Sequence, residues 1–156
     1  MPTGKVHALT TVLAAGVFGP SLYLLGHVPL VESLCFTGGC MAGLLVNPDL
    51  DMRRFTHAEE VVQKSFGRFM AGLWYALWWP YSRLVPSHRH PMSHFPLVGT
   101  FGRVLYLGLV IVLLRSLLGM LVPLPPLSLP LSSGWLWWTL GGLAAVDGLH
   151  TLLDII

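Results

Sequence analysis

Apolar residues fill this chain in long blocks, and the polar residues are gathered between the blocks. Residues 8–31 contain no Asp, Glu, Lys or Arg, and neither do residues 116–146, although Pro123, Pro125, Pro126 and Pro130 interrupt the second stretch. A helix needs ~20 apolar residues to cross a bilayer, so both blocks predict membrane spans. A first span is expected over about residues 8–29 and a shorter second one over residues 31–46. The second contains T-G-G-C-M-A-G, where Gly39 and Gly43 form a small-residue stripe that lets another helix approach closely, in the same chain or in a second copy. A polar stretch, N-P-D-L-D-M-R-R-F-T, follows at 47–56.

Thr56 and Glu59 fit a capping box that opens an amphipathic helix over residues 56–80. Val62, Phe66, Phe69, Leu73 and Leu77 form its apolar stripe, opposed by Glu60, Lys64 and Arg68. Its aromatic end, L-W-Y-A-L-W-W-P-Y, suits the membrane interface. It either lies on the membrane or re-enters it where protein covers the backbone. A second polar loop, S-H-R-H-P-M-S-H-F-P, precedes a third span at 100–122, where Arg115 can snorkel to the interface. A fourth span at 134–156 opens with Trp135, Trp137 and Trp138 as an interfacial belt. The expected fold is therefore all-α. It is one integral membrane helical bundle over residues 1–156, with about four transmembrane helices plus one amphipathic, interfacial helix.

Composition agrees: 10% of residues are charged, against roughly a quarter in soluble domains. A net charge of +2 is too small to argue for a nucleic-acid partner. Lys5, Arg53, Arg54, Lys64, Arg68, Arg83, Arg89 and Arg103 are eight of the nine basic residues. By the positive-inside rule they place the N-terminus, the central loops and the C-terminus in the cytoplasm. The expectation is a multi-pass protein of the inner (plasma) membrane with lipid as its constant partner. The first span is read as a retained helix, since no small-residue cleavage site stands out. Cys35 and Cys40 match no redox or zinc spacing and read as buried spectators.

The chemistry lies in what remains. Asp147, His150 and Asp154 are spaced i, i+3, i+7 and share one face of the last apolar helix. A carboxylate deep in a bilayer costs ~2.5–3.5 kcal/mol on insertion scales, so two of them ask for a partner. In the four-span topology His7, Asp49 and Asp51, then His88, His90 and His94, and finally His150 and Asp154 all emerge at one membrane face. Taken singly these residues read as turn formers, a surface loop or a helix-packing network. Taken jointly they form a ligand set for a divalent ion. Imidazole with carboxylate favours zinc, manganese or iron, and so many ligands could hold two ions, as in phosphoester hydrolysis. Arg89 or Arg103 could hold a phosphate. His27 falls on the opposite side and His57 reads as solvated.

G-K-V-H, N-P-D-L-D-M-R, H-R-H-P-M-S-H-F-P-L-V-G-T-F-G-R and D-G-L-H-T-L-L-D together resemble a bacterial family of unknown function whose members are described as metal-binding membrane proteins. More distantly the order is similar to that of the membrane-bound, metal-dependent hydrolase family. The chain departs from the pattern at Ala8 and at Phe95. Position by position, the resemblance implicates His7, Asp49, Asp51, His88, His94, His150 and Asp154 as ligands, and less directly His90 and Asp147.

The first functional expectation is a metal-dependent hydrolase of a phosphoester or lipid-borne substrate at the cytoplasmic face, with Asp147 as general base and Arg89 holding the substrate. Metal binding without catalysis, and a metal-free packing network, remain the alternatives. A homo-oligomer is compatible with each.

Overall fold

The computed structural model describes residues 4–88, 90–126 and 132–155. These form α1 (Gly4–Leu24), α2 (Leu30–Ala42), a 3-10 turn (Pro48–Asp51), α3 (His57–Leu84), α4 (Pro91–His94), α5 (Pro96–Gly119) and α6 (Gly134–Ile155), with no strand among them. The all-helical class is as expected. By length and composition α1 and α5 are long and apolar enough to cross a membrane. The other two expected spans differ. α2 has 13 residues, ~20 Å at 1.5 Å per residue, and it closes at Gly43 just before the Asn47-Pro48 turn. α6 is 22 residues long, but Asp147, His150 and three tryptophans dilute its apolar character. By length and composition, then, two helices qualify as candidate spans, and a four-span bundle is not confirmed.

α1 begins at Gly4, ahead of the uncharged block, which brings His7 onto a helix. The polar stretch after α2 makes the 3-10 turn at Pro48–Asp51. Pro48 presets the backbone at its start, and the Asn47 side chain accepts from the Asp49 backbone N–H at 3.1 Å. The capping box is present: the Thr56 backbone N–H donates to Glu59 Oε2 at 2.6 Å.

α3 runs four residues past the expected end and breaks at Gly67, whose φ of 86° only glycine adopts readily. The break redirects the helix. Val62 is buried, but Phe66, Phe69 and Leu73 on the expected stripe are exposed, and Ala71, Trp78 and Tyr81 face the body instead.

α2 packs on α6 through the glycine stripe. A Cβ on Gly39 would sit 1.9 Å from the Thr139 carbonyl oxygen, and one on Gly142 would sit 2.0 Å from that of Phe36. The two backbones touch, and the face on which a second copy was considered is covered by this chain's own α6. Ala14, Ala15, Cys40 and Val146 form one core here, while Leu50, Ala58, Trp78, Tyr81 and Val85 form another under the 3-10 turn. α5 buries only Gly99, Thr100 and Arg103, all in its first two turns, and leaves Leu105, Leu109 and Ile111 exposed.

Candidate metal centre

Four segments meet at one end of the helices. α1 supplies His7, the 3-10 turn Asp49 and Asp51, the α3–α4 connection with α4 His88 and His94, and the last two turns of α6 His150 and Asp154. His7 Nε2 lies 3.4 Å from Asp154 Oδ1, and His150 Nε2 lies 3.4 Å from Asp49 Oδ1 and 3.6 Å from Asp154 Oδ2. His94 Nε2 lies 3.5 Å from Asp154 Oδ2. The His7 and His150 rings stack with centroids 3.8 Å apart. His7, His150 and Asp154 form one group, and Asp49, His88 and His94 another, whose ligand atoms lie within 4.8 Å of one another.

Those separations discriminate between chemistries. A charge-assisted N–H···O bond closes to ~2.7–2.9 Å, so contacts of 3.4–3.6 Å are too long to be the reason these groups converge. Two ligands on one tetrahedral ion with bonds of ~2.0–2.1 Å are separated by about 3.3 Å. The imidazole nitrogens face these carboxylates without closing a hydrogen bond to them. Nε2 of His94 and of His150 are buried without a hydrogen-bond partner, which is costly unless something else satisfies them. A cavity of about 10 Å³, lined in part by His7, Asp49 and His150, lies on the His150 side of the cluster, close to the volume of a single water or ion. The residues present therefore fit a divalent cation.

Asp51 stands differently. Its Oδ1 lies 2.7 Å from His88 Nδ1, Ser93 Oγ donates to its Oδ2 at 2.6 Å, and that oxygen lies 3.5 Å from His94 Nδ1. The first two are true hydrogen-bond lengths. Asp51 thus engages Nδ1 of His88 directly and stands behind Nδ1 of His94, where Ser93 Oγ lies 3.0 Å away, leaving Nε2 as the nitrogen each can offer. Carboxylates behind metal-binding histidines act in this way. Burial alone would raise the carboxyl of Asp51, but the hydrogen bonds from His88 and Ser93 and the nearby His94 outweigh it and hold it well below the usual carboxylate range. Asp49 is likewise held low, because its contact with His150 and the nearby His7 and His88 outweigh its burial.

Asp147 does not join the centre. Its Oδ2 accepts from Arg103 Nη2 and from the Thr100 hydroxyl, and both Asp147 and Arg103 are closed to solvent. Arg103 Nη1 donates to the Ser93 carbonyl at 2.8 Å. This pairing leaves Asp147 without the freedom expected of a general base, and Arg103 without a guanidinium to offer a phosphate. His90 turns away from the ligands and caps α4, where its Nδ1 accepts from the Met92 backbone N–H at 3.2 Å. Arg89 lies outside the described residues. His57 pairs with Glu60 at 3.1 Å.

Three supporting residues lie within the quoted motifs but were not singled out there: Ser93, Thr100, and Thr151, whose hydroxyl donates to the His94 carbonyl. Ser93 stands beside a candidate ligand. Arg103 and Asp147 were both singled out from the sequence, but for other roles, and nothing in their spacing paired them.

A family model described as "Uncharacterized metal-binding protein (DUF2227)" matches residues 2–156. The chain belongs to that family. No curated protein and no solved structure matches it. For this member of the uncharacterized metal-binding family, the buried histidines and aspartates above are the residues that could hold the ion.

Proposed function

We propose that this protein is a divalent-metal-dependent hydrolase of the inner membrane that acts on a phosphoester or lipid-borne substrate at the cytoplasmic face. The observation that carries the proposal is the buried Nε2 of His94 and of His150, each facing carboxylates at 3.4–3.6 Å without a hydrogen bond, beside an open cleft that bears Arg53 and Arg54. His7, Asp49, His88, His94, His150 and Asp154 would hold the ion, with zinc, manganese or iron suited to that donor set. When bound, the metal supplies Lewis-acid polarisation of a phosphoryl oxygen and lowers the pKa of water at the site.

The cleft, about 460 Å³, is lined by Asp51, Met52, Arg53, Arg54, Val85, Pro86, Ser87 and His88. It reaches the centre at His88, and Arg53 and Arg54 bring two guanidinium groups able to grip an anionic ester. A second cleft across the same turn is lined by Lys5, Asp49 and Arg54, among others. That second cleft also holds Glu60, so the positive charge is concentrated on the Arg53–Arg54 side. Asp147, held by Arg103, has a positioning role in this reading, and the substrate-holding role expected of Arg89 passes to Arg53 and Arg54.

Membrane insertion is supported by α5, whose apolar side chains from Leu105 to Leu118 are largely exposed; exposed apolar surface of that extent marks contact with lipid or another protein. The basic residues at the metal end favour a cytoplasmic placement of that end.

The test is hydrolysis by detergent-purified protein loaded with zinc, manganese or iron. The substrates are p-nitrophenyl phosphate, bis-p-nitrophenyl phosphate and phosphatidic acid in mixed micelles. Metal-dependent turnover that vanishes in His94→Gln, and shows a raised KM with normal metal content in Arg53→Ala/Arg54→Ala, is the expected result. Stoichiometric metal without turnover on any of them would leave metal binding without hydrolysis.

A further inference from the structure

We infer that the centre is built for two metal ions, one held by His7, His150 and Asp154 and the other by Asp49, His88 and His94. This rests on the metal-dependent reading above. The first observation is the donor set itself. Two groups of three side chains each bring one ligand atom within 4.8 Å of the others. Catalytic sites of this kind use three protein ligands per ion and keep a position open. Six protein ligands around one ion would fill even an octahedral shell and leave no room for substrate.

The second observation is how the groups interlock. Each carboxylate lies near a histidine of the other group: Asp154 Oδ2 is 3.5 Å from His94 Nε2, and Asp49 Oδ1 is 3.4 Å from His150 Nε2. A carboxylate has two oxygens and can serve two cations at once, so Asp49 and Asp154 are placed to link the two positions. Asp154 faces His7 of its own group through Oδ1 at 3.4 Å, and its Oδ2 lies between His150 of the same group, 3.6 Å away, and His94 of the other, 3.5 Å away. The unpartnered nitrogens support the same division. Nε2 of His94 and Nε2 of His150 belong to different groups, and both residues are 5% exposed.

Charge balance agrees. Asp49 and Asp154 in the ligand set and Asp51 behind the histidines total −3, which two divalent cations leave at +1. That residual positive charge suits an anionic substrate delivered past Arg53 and Arg54.

The experiment is metal content by plasma mass spectrometry of detergent-purified protein equilibrated with zinc and freed of excess, set against amino-acid analysis. Two ions per chain are expected. In His7→Gln and in His88→Gln, one ion per chain is expected to remain. Protein loaded with manganese should give an exchange-coupled paramagnetic resonance spectrum in the wild type and an isolated-ion spectrum in either variant. One ion per chain in the wild type overturns the two-ion inference while leaving the metal-dependent reading in place. No bound metal overturns both. Two ions without magnetic coupling would mean a distant second ion and would also overturn it. The wild-type measurements decide the question even if a variant fails to fold.

Discussion

Arg103 of α5 and Asp147 of α6 form an ion pair shut off from solvent on all sides, at 0% and 1% exposure. The Thr100 hydroxyl donates to the same carboxylate oxygen, and the guanidinium also holds the Ser93 carbonyl. Ser93 in turn donates to Asp51. One buried pair thereby fastens α6, the start of α5 and the α4 segment that carries His94, setting the spacing of ligands that come from distant parts of the chain.

Removing one partner of that pair strands a buried charge. Arg103→Met should destabilise the protein by ~3–5 kcal/mol, and the double variant Arg103→Met/Asp147→Leu should recover much of the loss, because two apolar groups carry no desolvation penalty. Unfolding in detergent measures both. A double variant no more stable than the single would show that the pair is not the source of the loss.

Asp51 and His94 should separate on metal affinity. Loss of an orienting carboxylate weakens binding ~10–100-fold without removing a ligand. Asp51→Asn should accordingly need more metal to saturate and then reach wild-type content, whereas His94→Gln should fall short at any concentration. Competition with a chromogenic chelator reads both. Equal defects in the two variants would make Asp51 a direct ligand.

Metal bound only to the folded state adds stability by mass action, ~2.7 kcal/mol at a hundred-fold excess over Kd. Chelator-treated protein should melt at a lower temperature and recover on adding the ion back. The buried imidazole nitrogens that lack partners are the groups left costly when the ion is stripped. An unchanged melting temperature after verified metal removal would contradict the assignment.

The metal-free protein should lose stability in acid. Asp49 and Asp51 are held below the usual carboxylate range by the histidines around them, against the opposing effect of burial. The unfolded chain then binds more protons near pH ~4, so stability rises with pH through that region. Their contribution is fully present above the unfolded value of ~3.9 and is lost as pH falls through the lower folded values. Denaturant midpoints of chelator-treated protein should decline across this range, less so in Asp49→Asn/Asp51→Asn. A midpoint that rises toward acid would reverse the sign.

Gly142→Ala tests the α2–α6 contact. Its new Cβ would fall 2.0 Å from the Phe36 carbonyl oxygen, a backbone atom that cannot step aside alone. The helices must separate, at ~1–3 kcal/mol, and the position of His150 two turns along α6 shifts with them. Gly141→Ala, whose Cβ would meet only the Phe36 ring at 3.8 Å, should be near neutral in the same melting assay.

The glycines of α2 show how far local spacing reaches. G-x-x-x-G at Gly39 and Gly43 announced a close helix approach, because small residues in an apolar helix have few other uses. Its partner, α6, was not disclosed, since any helix with a complementary small face would serve. The kink in α3 was similarly hidden. Periodicity put Phe66, Phe69 and Leu73 on one apolar stripe, which stays exposed, while past the break at Gly67 it is Ala71, Trp78 and Tyr81 that turn to the body of the protein.

Residue order was enough to establish the helical class and the capping box at Thr56–Glu59. It was also enough to require that the histidines and aspartates collect somewhere, because charged and imidazole groups in so apolar a chain need each other or an ion. These are consequences of local spacing and of transfer free energy, and both are properties of residues in order. Which of those groups meet was settled by packing. Asp147 and Asp154 share a helix face, yet one is taken by Arg103 and the other faces His7, His94 and His150. Asp49 and Asp51 sit two residues apart, yet one lies among the candidate ligands and the other behind the histidines. Partners separated by tens of residues are chosen by how helices pack, and that choice is not written in the spacing of either partner alone.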